Sequence, residues 1–174
     1  MPVCIACAAL ASVLFVPNRL KSGATVRLYF AIQAIQNPIR SDEQMISKFR
    51  KHRHRFETLQ QMIAADQSLH RVDEDWADPP DAVSADRLDA YRRLLKDVGC
   101  RRGFCAYPGR PGVYFISAAR GVVAGSTTQG YYYFEGVPPL LVTNTAAYTP
   151  KPDEYSYEVF RLIEGHWYIF YEVD

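Results

Sequence analysis

Apolar side chains at Met45, Phe49, Phe56, Leu59 and Ile63, with His52 on the same line, recur at intervals of three and four residues. That period puts them on one stripe of an α-helix of about 24 residues. Ser41 and Gln44 have capping-box spacing just ahead of it, and Asp42 and Glu43 suit the positive end of the helix dipole. The same signals return after Ser84. Asp86 falls in a first turn, Leu88, Tyr91, Leu95 and Val98 form a second stripe, and Gly99 stands as its C-terminal stop.

From Phe104 onward the period changes. Residues 112–118, 121–124, 130–134, 140–143, 155–163 and 166–173 are short β-branched and aromatic runs separated by Gly, Pro and Asn. Glu164-Gly165 reads as a hairpin turn, and residues 119–121 and 127–130 read as two more. Helices first and strands afterwards predict an α+β fold, with two amphipathic helices packed on an antiparallel meander of five or six strands. The helices would cover one face of the sheet. The other would show tyrosine to solvent, a side chain that interfaces favour.

This body occupies residues 36–174 as a single domain, and residues 1–35 read differently. Residues 3–16 form a 14-residue apolar run closed by Pro17, and Arg19, Lys21 and Arg27 follow it. A spanning helix needs roughly 20 apolar residues, so a run of this length fits a signal-like segment or a packed core helix better. The signal reading expects basic residues ahead of the run, and here they come after it. Membrane association through residues 1–35 is one expectation, and an apolar N-terminal helix packed on the body is the other. Under the first, the body sits tethered at the cell envelope on the periplasmic side. Positive-inside counting would instead keep it on the cytoplasmic face.

Charge sharpens the contrast between the two ends. The net charge is +1, yet residues 1–55 hold nine Lys/Arg against two Asp/Glu. The run from Lys48 to Arg55 carries much of that excess, but no aromatic residues are spaced to stack on bases, so nucleic acid is not an expected partner. Residues 72–82 form an acidic loop in which Trp76 would pin the chain to the body. Asp73, Asp75 and Asp78 there lack the glycine and the bidentate Glu of a calcium loop.

The search for chemistry returns little. No nucleophile elbow, phosphate loop or zinc spacing is present in the sequence. Neither a cofactor nor a metal is expected. Cys4 and Cys7 sit inside the apolar run as small hydrophobes. Cys100 and Cys105 could close a short disulfide loop in an oxidising compartment, or remain buried thiols. The one acid–base grouping within reach is His52 with Glu158 or Glu172, in a pocket between the first long helix and the sheet. This defines the alternative reading of a small enzyme or small-ligand binder.

Residues 41–46 with Phe49, His52, Phe56 and Leu59, then Tyr91 to Leu95, Ala124 to Tyr131 and the closing Gly165-His-Trp-Tyr-Ile-Phe-Tyr-Glu172, resemble a group of small uncharacterised bacterial envelope proteins. Many of that group are lipoprotein-like and end in a GxWYxxYE-type hairpin, and the resemblance covers roughly residues 41–174. It implies an envelope-exposed α+β domain without assigned activity; a clean lipobox is missing here. The leading expectation is a non-enzymatic protein-binding domain, of the immunity type that neutralises a toxin or secreted effector. Arg53, Arg55, Tyr131, Tyr133 and Trp76 are its candidate contact residues.

Overall fold

A computed structural model describes residues 38–109, 111–121 and 126–174. The expected strand at 121–124 therefore lies almost wholly outside the described residues, as do the readings of residues 1–35. Helix α1 spans Asp42–Ala65 and helix α2 spans Ala85–Val98. Both begin as their sequences require. Ser41 accepts from the Gln44 N–H while the Gln44 side chain accepts from the Ser41 N–H, and Ser84 accepts from the Arg87 N–H. Gly99 ends α2 in the left-handed conformation, at φ 74°, with the Lys48 ammonium lying where a β-carbon would be. A cation against the carbonyl end of a helix is favourably placed.

Among the described residues seven strands form one antiparallel sheet, against an expectation of five or six: β1 Arg71–Val72, β2 Ala77–Asp78, β3 Phe104–Cys105, β4 Val113–Arg120, β5 Thr127–Tyr133, β6 Tyr157–Glu164 and β7 Trp167–Val173. Their order is β2-β1-β3-β4-β5-β7-β6. Residues 127–130, read above as a turn, open strand β5 instead: Thr127 pairs with Val173 and Thr128 with Glu172. Residues 140–143, expected as a strand, contribute a single parallel bridge from Leu141 to Phe160 along the outer margin of β6.

The principal core lies between the helices and one face of the sheet. Phe49, Phe56, Leu59 and Ile63 of α1 and Tyr91, Leu95 and Val98 of α2 meet Phe104, Phe115, Tyr131, Trp167 and Ile169. Phe56 is central: its ring lies 4.6 Å from Tyr131, 5.1 Å from Phe49 and 5.5 Å from Trp167, centroid to centroid. Burying each such side chain contributes about 1.5–3 kcal/mol, and tilted or edge-on ring pairs add to it.

The opposite face is not a solvent face of exposed tyrosines. Tyr114, Ile116, Tyr132, Phe160, Tyr168 and Phe170 form a second buried cluster there, together with Cys105. Phe170 packs over Gly130, whose missing side chain leaves room for its ring: a β-carbon would come within 2.7 Å of it.

Candidate functional site

The two surfaces the sequence singled out are the basic stretch of α1 and the tyrosines of β5. The helix brings the first together. Arg50, Lys51, Arg53 and His54 are exposed, and Lys48, His52 and Arg55 are half-buried beside them. The helix bends at His52, where the backbone leaves helical geometry at φ −116°, ψ 16°. An open depression of about 580 Å³ runs along this face, lined by Glu43, Gln44, Ser47, Lys48, Lys51 and His52.

Each candidate arginine is held by intramolecular partners. Arg53 pairs with Glu57 at 2.9 Å and with Glu164 of the β6–β7 hairpin at 3.0 Å. Arg55 reaches Asp97 of α2 at 3.5 Å and lies 2.9 Å from His52 Nδ1. Exposed ion pairs of this kind contribute about 0–1 kcal/mol, so a partner's carboxylate can displace them at little cost. The clustering of cations shows in the neighbouring titrations. Partial burial, then Arg55, Lys51 and Lys48, holds the His52 pKa below its ordinary value of 6.5. Burial, then Arg40, lowers that of Lys48.

The second surface is corrected by the structure. Tyr131 points into the principal core, is 1% exposed, and donates its hydroxyl to the Met45 carbonyl of α1 at 3.1 Å. Alternation along β5 puts Tyr133 on the same side, where it packs 5.0 Å from Trp167, half-buried, and donates to Glu135. Tyr131 is thus a core residue that no partner touches. Tyr133 keeps an accessible edge on a depression of about 330 Å³ between α1 and the β5 end of the sheet. Trp76 does pin its loop: the Arg71 guanidinium lies 5.0 Å above its ring while pairing with buried Asp73 at 3.2 Å. The cation–π contact and the ion pair together fix residues 71–76.

The acid–base grouping is not assembled. Glu158 and Glu172 stand directly opposite each other in the β6–β7 register, as strand alternation suggested. They lie on the face away from the helices, with Phe160 and Phe170, whereas His52 is on α1 against the other face. The sheet separates them. Tyr114 donates to Glu158 at 3.5 Å, so these carboxylates belong to the second cluster. Cys100 and Cys105 are also on different sides. Both are buried, and no disulfide joins them. Burial pushes the Cys100 thiol up to about 12.

One polar junction escaped the sequence. Asp42 is buried in the first turn of α1, where it accepts from the backbone N–H and hydroxyl of Thr145 and from Arg161. Its position marked it only as a helix-start residue, and nothing local signals a partner so far along the chain. Among the described residues no helix is long and apolar enough to cross a membrane. No protein-family model, curated protein or solved structure matches this chain.

Proposed function

We propose that this chain is a non-enzymatic protein-binding domain of the cell envelope, of the immunity type, which neutralises a toxin or secreted effector by docking on an acidic surface of it. The observation that carries this reading is the exposed basic face of α1, where Arg50, Lys51, Arg53 and His54 stand on either side of the bend at His52. A helix anchored by six buried residues holds those charges in fixed geometry, which limits the ordering cost of binding. Opposite charge on the partner would raise the association rate and set the register of the complex. The envelope assignment rests on the resemblance of the closing hairpin.

Tagged full-length protein, incubated with lysate and secreted fractions of the source cell and analysed by mass spectrometry, tests this. The expected result is one stoichiometric protein partner that is lost when Arg50 and Arg53 are changed to Glu, with an unchanged melting temperature. A partner retained by that variant, or a small molecule in place of a protein, overturns the reading.

A further inference from the structure

The two flanks of α1 carry cations of different standing. Towards the β6–β7 hairpin, Arg53 is paired with Glu57 and Glu164. On the opposite flank Lys48, His52 and Arg55 follow at intervals of four and three residues and so share one side of the helix. Arg55 reaches Asp97 of α2, and the Lys48 ammonium lies against Gly99 at the end of α2. This flank is therefore the seam between α1 and the C-terminal end of α2. Lys51 joins Lys48 and His52 along the open depression of about 580 Å³. Two further cations come from outside the helix. Arg40 is held ahead of α1 by the Gln129 side chain, which accepts from its N–H at 2.9 Å and donates to its carbonyl at 2.8 Å. Arg101 is exposed on the turn that the Gly103 N–H closes to the Cys100 carbonyl at 2.9 Å.

These charges feel one another. Burial first, and then Arg40 and Arg101, hold the Lys48 pKa below its ordinary 10.5. Lys48 and Arg40 also act together on the Cys100 thiol, opposing the upward push of its burial. Among the described residues no ion pair joins Lys48, Lys51, Arg40 or Arg101 to a carboxylate, whereas Arg53, Arg55, Arg87 and Arg161 each have one. Residues 1–37, 110 and 122–125 contain no Asp or Glu, so the rest of the sequence holds no carboxylate to neutralise them. Like charges gathered without a counter-charge repel, and an anion bound among them removes that repulsion.

We infer that the seam between α1 and the end of α2 is a binding site for a phosphate group, held by Lys48, Lys51, Arg40 and Arg101. A phosphate group carries close to two negative charges at neutral pH on three acceptor oxygens, so one group answers several cations at once. A guanidinium matches it with two parallel N–H donors, and an ammonium serves as a point charge. His52 adds an uncharged donor: Arg55 can only donate to its Nδ1, which leaves the imidazole proton on Nε2. The open depression leaves room for the remainder of a phosphorylated compound. Arg53 lies on the other flank, so this site goes beyond the docking of a protein partner and does not depend on it.

The test is calorimetric titration of the full-length protein with inorganic phosphate and with pyrophosphate at constant ionic strength. The expected result is saturable binding, tighter for pyrophosphate, weakened about tenfold or more by Lys48→Gln and by Arg101→Gln. Arg93→Gln, which removes an exposed cation elsewhere on α2, should leave it nearly unchanged. Lack of saturable binding, or an equal loss in all three variants, overturns the inference. A second measurement needs no substitution. With the lysines reductively methylated with carbon-13, the NMR titration of Lys48 should move up towards its ordinary value when pyrophosphate is present; a titration that pyrophosphate does not move overturns the inference independently. Phosphatidylcholine vesicles containing phosphatidic acid separate the two sources of the group. Displacement of pyrophosphate by them supports the site with a lipid headgroup as ligand, and pyrophosphate binding that they leave intact supports it with a soluble phosphate compound.

Discussion

Asp42 and Thr145 are joined by two hydrogen bonds across 103 residues of sequence, and Arg161 adds a third contact to the same carboxylate at 3.1 Å. This junction fixes the start of α1 to the loop before β6 and to β6 itself. Removing one partner of a buried, paired charge leaves the rest unsatisfied. Asp42→Ala is expected to cost about 3 kcal/mol, and Thr145→Val about 1 kcal/mol, since the backbone donor survives in the latter. Urea denaturation of the two variants checks both values and their order.

Tyr131 and Arg53 should behave in opposite ways. Tyr131→Ala removes a ring from the centre of the core and should cost about 3–5 kcal/mol, whereas Tyr131→Phe should lose about 1 kcal/mol with its bond to the Met45 carbonyl. Arg53→Glu, on the exposed face, should change stability by no more than about 1 kcal/mol. Partner binding should show the reverse ranking between Tyr131→Phe and Arg53→Glu. Thermal melts combined with binding measurements separate the two roles.

Stability should fall on the acid side of neutrality in a way traceable to His52. Its folded pKa is depressed, chiefly by partial burial and then by Arg55, Lys51 and Lys48. Below the ordinary value of 6.5, the unfolded chain therefore binds a proton that the folded chain resists. Stability is full above that pH and declines as pH falls through it towards the depressed folded value. Glu43 is held below its ordinary 4.5, first by Arg161, and adds a second loss at lower pH. Denaturation midpoints should decline as pH falls below about 6.5 in the native protein and less in His52→Gln.

Gly103 sits at φ 76°, and a β-carbon there would meet the Val72 carbonyl oxygen at 1.5 Å. Neither atom belongs to a movable side chain. Gly103→Ala should therefore destabilise at the upper end of single substitutions, about 4 kcal/mol or more, by forcing β1 away from β3. Soluble yield and circular dichroism at low temperature report the result.

Cys100 and Cys105 should remain thiols in protein purified under air. Peptide mapping without reductant should find both unlinked, because the sheet lies between their side chains and burial suppresses the Cys100 thiolate. A bridged peptide would show that the β3 segment rearranges.

The helices were legible because their signals are local. The Ser41–Gln44 box, the stripe from Met45 to Ile63 and the Gly99 stop are each contained within one element. The two-residue strands β1, β2 and β3 were not, since a period cannot be read from two residues; they exist because Val72 faces both Ala77 and Phe104 across the sheet. The turn reading of residues 127–130 followed their polar, glycine-ending composition. It failed because Gln129 is bound by Arg40 and Gly130 lies beneath Phe170. Tyr131 was misassigned for a related reason. In β5 tyrosines project to both sides, and Tyr131 and Tyr132 are buried on opposite faces by packing that no local signal reveals. The basic face of α1 was legible, whereas its ion pairs to Glu164 and Asp97 were not.

The narrow parallel bridge at the margin of β6 has a further consequence. The Val142 N–H donates to the Phe160 carbonyl at 2.8 Å, and the Phe160 N–H donates to the Leu140 carbonyl at 2.9 Å. The outermost strand thus has the middle of its rim already spoken for. At the far end, β2 is two residues long and runs into Pro79 and Pro80, which have no N–H to donate. Among the described residues the bridge interrupts one rim and the prolines cut short the other, which disfavours stacking into fibrils or capture of an extended peptide by strand addition.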